Sequence, residues 1–119
     1  MPSGTKEERE KRHEAMQAGL KNAILVPYGT AELCIEAIEL CKTAAMKGNP
    51  NSITDAGVGA LVAWAGVQGA VYNVRINMKD IEDDDFVAEY NRKCEQLLEA
   101  GKQLNQEIRG QVNDSFTID

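Results

Sequence analysis

The stretch ITDAGVGALVAWAGVQGAVYNV (residues 53–74) decides how this chain folds. From Ala56 to Val74 it carries no charged side chain, and its apolar and polar residues do not alternate as they would in a half-buried strand. Ser52 reads as the N-cap of a helix, and Asp55 three residues on sets a carboxylate where a helix N-terminus favours one. A run of this length could cross a bilayer. Against a span, Gly57, Gly59, Gly66 and Gly69 with Gln68, Tyr72 and Asn73 make it only weakly hydrophobic, and the rest of the chain is strongly polar. A helix apolar on all sides is otherwise a central one, whose small residues let neighbouring backbones come close. One short chain can hardly cover it, so a second subunit is expected.

Three further helices are expected around it. The first starts at Thr5, where Thr5 and Glu8 form a capping-box pattern, and runs towards Val26 with Met16, Leu20, Ala23 and Ile24 on its buried face. Pro27 ends or kinks it. A second runs from about Pro27 or Thr30 to Lys47, with Cys34, Ala37, Ile38, Cys41 and Ala45 in one stripe, and Gly48, Asn49, Pro50 and Asn51 turn the chain. After a turn at Glu82 to Asp84, Val87, Tyr90, Cys94, Leu97, Gly101, Leu104 and Ile108 alternate spacings of three and four. That is a heptad seam, which buries against a straight neighbour or its own copy at a shallow crossing angle. The expected architecture is all-α: an antiparallel up-and-down bundle of about four helices, dimeric, over residues 1–110, with a mobile tail over residues 111–119.

Composition narrows the function. The 119 residues carry 13 Lys and Arg against 19 Asp and Glu, a net charge of -6, and 5% are aromatic. Nucleic acid and anionic membranes need a concentrated positive field, so neither is an expected partner. Cys34, Cys41 and Cys94 are odd in number and widely spaced, and no signal-like segment opens the sequence, which reads as a reducing, cytoplasmic setting. His13 has no Cys or His at ligand spacing, so no metal site is expected. No nucleophile with an adjacent base and no phosphate-cradling loop is present. Two polar features stand out: Asp55 at the mouth of the uncharged helix, and Asn73 with Asn77 one turn apart at its other end.

The segments GTKEEREKRHEAMQAGLKNAILVP (residues 4–27), KGNPNSITDAGVGAL (residues 47–61) and GAVYNVRINMKDIEDDDF (residues 69–86) resemble the formiminotransferase-cyclodeaminase family, the cyclodeaminase domain and its bacterial methenyltetrahydrofolate cyclohydrolase relatives. The likeness runs from about Pro2 to Ile108. It implies an all-helical dimer acting on a tetrahydrofolate one-carbon adduct, as a cyclodeaminase or a cyclohydrolase, with neither metal nor organic cofactor. It also implies a missing N-terminal half, which in the family carries a P-G-G-G-S segment at the substrate site. A truncated, non-catalytic helical dimer or folate-binding module is the alternative.

Either reaction needs a group that handles protons. The resemblance matches Asp55 to the family's aspartate in an N-x-x-S-D-like block, as the catalytic carboxylate. Asn73 and Asn77 are then substrate-binding hydrogen-bond partners for the pterin or the one-carbon unit. Asp55 at the third helical position also serves as a cap partner, and the two asparagines can satisfy helix-end carbonyls. Asp55 and Asn73 are about 27 Å apart along one helix, so either only one end lines the pocket, or two copies pack with these helices antiparallel and bring Asp55 of one toward Asn73 and Asn77 of the other. Arg75 and Lys79 point to another side of the helix and read as solvated charges.

Overall fold

The computed structural model describes residues 4–117. Three helices account for nearly all of them: α1 (Lys6–Met46), α2 (Ile53–Met78) and α3 (Asp84–Ser115), with no strand among the described residues. The helix expected to break at Pro27 is continuous, so the bundle has three helices rather than four. A proline inside a helix costs about 3 kcal/mol relative to alanine and leaves one carbonyl without its N–H. Burial on both sides offsets this: Ile24 before the proline and Ala31, Ile35 and Ile38 after it are all buried on one continuous face. In the next turn the Thr30 hydroxyl donates to the Val26 carbonyl at 3.2 Å.

The helix ends follow local chemistry. At the start of α1 the Glu8 N–H donates to Thr5 Oγ1 at 3.1 Å and the Thr5 N–H to Glu8 Oε2 at 3.4 Å, the reciprocal capping box. Gly48 takes φ 76° where the chain leaves α1, a conformation glycine adopts at little cost. Ser52 occupies the N-cap of α2, but its hydroxyl donates back to the Asn49 carbonyl at 3.2 Å instead of capping the helix. Asp83 caps α3 by accepting from the Phe86 N–H at 3.1 Å, and Lys21 donates to its other oxygen at 2.7 Å. These two bonds, the lysine's first, hold the Asp83 carboxyl below the usual aspartate range.

Glycines set the distances between helices. A Cβ on Gly66 would meet Cys34 Sγ at 2.7 Å, and one on Gly59 would meet Cys41 Sγ at 3.0 Å, so α1 and α2 pack closely and antiparallel. Gly57 faces Val112 and Gly101 faces Trp64, which sets α3 antiparallel to α2. Every residue of the expected α3 seam is partly or fully buried, and the helix runs on through residues 111–115, expected as tail, because Val112 joins the core. Phe116 is the C-cap of α3, and residues 118 and 119 at the end of that tail lie outside the described residues.

The start of α1 overhangs the other helices. Residues 6–16 are exposed, Met16 among them at 62%, and of the face expected there only Ile24 is fully buried, with Leu20 half-buried. The molecule is accordingly long, 77 × 23 × 17 Å. Gln17 pins the α2–α3 loop beneath the overhang: its amide donates to the Asp80 carbonyl at 3.0 Å and its Oε1 accepts from the Glu82 N–H at 2.9 Å. His13 Nε2 lies 2.7 Å from Glu82 Oε2 beside it.

Candidate functional site

Helix α2, uncharged from Ala56 to Val74, is only half covered within one chain. At about 100° per residue, Gly59 and Gly66 turn to α1 and Gly57 and Trp64 to α3, which leaves a third face formed by Val58, Leu61, Val62, Tyr72 and Ile76. These five side chains are 57% to 71% exposed. On α1, Val26, Leu33 and Leu40 repeat every seven residues and are 65% to 74% exposed, one position before the cysteines that touch α2. Two apolar lines therefore flank the α1–α2 contact on the side turned away from α3. Single exposed apolar residues are ordinary on a surface, whereas a heptad line beside a second apolar helix face is not.

Asp55 and Asn73 lie at opposite ends of this face, both exposed. They are eighteen residues apart, five turns of 3.6, so they share one line along α2 about 27 Å apart, and a single chain does not bring them together. Asn77 is half-buried, and its side-chain amide donates to the Asn73 carbonyl at 2.9 Å, which commits one of its donors to the backbone of its own helix. Arg75 is not a free cation: its guanidinium pairs with Glu95 on α3. Lys79 is exposed at the C-cap of α2.

A second feature joins residues far apart in the sequence. Between the start of α2 and the end of α3 lies a cleft of about 420 Å³. Leu61, Ile108 and Val112 give it an apolar floor, and Asn105, Arg109 and Asn113 a polar edge. The three polar residues repeat every four positions near the end of α3, each one position after the Leu104, Ile108 and Val112 side chains that pack against the core. Asp55 is not among its lining residues.

The three thiols are structural. Cys34 and Cys41 are half-buried against glycines, and Cys94 is fully buried, where desolvation pushes its thiol up from its ordinary value. Among the described residues no group of three or more His, Cys, Asp and Glu is placed to hold a metal ion, and no helix is long and apolar enough to cross a membrane.

Comparison with known proteins gives these features a context. The formiminotransferase-cyclodeaminase family matches residues 1–96. Methenyltetrahydrofolate cyclohydrolase of Methylorubrum extorquens is 40% identical over 108 residues, 91% of this chain and 52% of the relative. Formimidoyltransferase-cyclodeaminases of Gallus gallus and Sus scrofa are 43% and 35% identical over 103 and 102 residues, each alignment covering 19% of the relative. The chain thus spans about half the length of the cyclohydrolase and about a fifth of the cyclodeaminases.

Proposed function

The chain belongs to the formiminotransferase-cyclodeaminase family, and from that premise we propose that it acts on a tetrahydrofolate one-carbon adduct, as a cyclohydrolase or a cyclodeaminase, through a pocket shared between two copies of the chain. The observation that carries this is the open face of α2 with Asp55 and Asn73 on one line at its two ends. Two copies packed antiparallel through that face, about a two-fold axis near the midpoint of the pair, would set Asp55 of one beside Asn73 and Asn77 of the other, twice. Ala65 and Gly69 fall near that crossing, and a Cβ on Gly69 would meet nothing within 4 Å in the single chain, which leaves room for a second helix.

In cyclohydrolysis water adds to the bridging amidinium carbon and one carbon–nitrogen bond opens, giving the formyl adduct and a proton. Asp55 takes the proton from the attacking water, and its charge offsets the cation of the ring. In cyclodeamination N10 attacks the formimino carbon and ammonia leaves; the same carboxylate accepts the N10 proton and returns one to the departing nitrogen. The exposed amide of Asn73 orients the pterin or the one-carbon unit through hydrogen bonds. The reducing compartment implied by three unpaired thiols is the cytoplasm.

The separation of Asp55 and Asn73 by about 27 Å within one chain favours a second reading, a helical module that binds folate without turnover. The absorbance decay of methenyltetrahydrofolate separates the two. Acceleration above the buffer rate, abolished by Asp55→Asn, supports the enzyme; tetrahydrofolate binding with no acceleration supports the module. Neither binding nor acceleration defeats both.

A further inference from the structure

Asp55, Asn73 and Asn77 all lie on α2, and none of them supplies a cation. The tail of a folate is a glutamate linked to a p-aminobenzoyl ring, so a complete site needs an apolar surface next to a positive charge. The cleft between α2 and α3 has both. Its volume of about 420 Å³ falls in the range of small-molecule sites, and Leu61, Ile108 and Val112 give it an apolar floor.

The charge is Arg109. Among the described residues its guanidinium makes no ion pair or hydrogen bond. Its neighbours four residues to either side on α3 are Asn105 and Asn113, amides that do not neutralise it, and all three line the cleft. Arg75, closer to the asparagines of α2, is already paired with Glu95. A guanidinium offers a carboxylate two parallel N–H donors, and flanking amides can complete the hydrogen bonding of its oxygens.

We infer that this cleft receives the p-aminobenzoylglutamate part of the substrate, with Arg109 holding a glutamate carboxylate, Asn105 and Asn113 donating beside it, and the aromatic ring lying on Leu61 and Val112. The inference rests on the folate reading above and deepens it. Asp55 and Leu61 are six residues apart, about 9 Å along the axis of α2 and about 120° around it. A substrate with its one-carbon unit at Asp55 therefore passes around the start of α2 to reach the cleft. Residues 105–113 lie beyond the family match, which ends at residue 96, so the assignment stands on the cleft itself.

The test uses N-(4-aminobenzoyl)-L-glutamate alone and 5-formyltetrahydrofolate, each titrated into isotopically labelled chain and followed by nuclear magnetic resonance. The small probe should shift the side-chain amide signals of Asn105 and Asn113. Arg109→Met should weaken it about tenfold or more, as for a lost charge-assisted bond, and Arg109→Lys should restore part of the affinity while the circular dichroism of all three proteins stays the same. If 5-formyltetrahydrofolate binds wild type and Arg109→Met alike and the small probe leaves both asparagines unmoved, the cleft assignment is wrong while the folate reading survives. If the small probe shifts both asparagines but no tetrahydrofolate derivative binds, the cleft is a carboxylate site and the folate reading falls. Glutaramide-type analogues lacking both carboxylates should leave the asparagine signals unmoved; equal shifts would overturn the role given to Arg109.

Discussion

Trp64 lies over Gly101 so closely that a methyl group on Gly101 would stand 2.5 Å from Cζ3 and 2.7 Å from Cε3 of the ring. Ile35 from α1 closes the same point at 3.1 Å, so three helices meet where one of them has no side chain.

Gly101→Ala should therefore destabilise the fold by about 1–3 kcal/mol, because overpacking a filled site outweighs the helical preference for alanine. Gly110→Ala, on the same helix with nothing within 4 Å of the added atom, should stabilise by about 0.5–1 kcal/mol. Urea unfolding of the two variants measures both, and equal signs would contradict the contact.

Replacing Pro27 by alanine restores an N–H to the Ala23 carbonyl inside a continuous helix. We expect a gain of stability of up to about 3 kcal/mol with no change of helix content. A loss on urea unfolding would mean that the proline ring itself makes packing the fold depends on.

Asp55→Asn should lower turnover by 10²- to 10⁴-fold, the range typical of a general acid–base group, with little change in thermal midpoint, since the side chain is exposed and the α2 cap does not use it. Mixing Asp55→Asn with Asn73→Ala chains, each inactive alone, should recover part of the activity, because one of the two shared sites in a mixed dimer keeps both groups. No recovery in confirmed mixed dimers would rule out the pocket shared between copies.

The contact between Lys21 and Asp83 sets a pH dependence. Because the folded carboxyl sits below its unfolded value of about 3.9, its contribution is present above that value and lost as pH falls through the lower folded one. Asp83→Ala should thus be less stable than wild type at pH 7, and the difference should shrink on acidification below about pH 4. A difference that stays constant to low pH would show that the charge contributes nothing.

Much of this was readable from residue types and their spacing. The Thr5 and Glu8 box, the uncharged run of α2 and the seam from Val87 to Ile108 each follow from rules that act within a few turns of one helix. Pro27 misled because the local penalty is real but is weighed against burial contributed by residues on both sides, which only the tertiary arrangement reveals. Met16 and Ala23 sit on a helical stripe, yet α2 is too short to reach Met16, and element length relative to a partner is invisible to periodicity. The Arg109 cleft escaped notice because its parts lie on two helices, and each part alone is an ordinary helical surface.

The sulfur atoms of Cys34 and Cys41 occupy hollows at Gly66 and Gly59, and both pairs are seven residues apart on their own helices. The fit works as a vernier between two sliding rods. A slip of one heptad in one direction would set Cys34 against Asn73, and in the other the ring of Pro27 against Gly66, so each displaced alignment loses one of the hollows. The height of Asn73 along the bundle is thereby indexed by half-buried thiols about two and four turns away, and a larger side chain at either cysteine would move both ends of α2 relative to α1 at once.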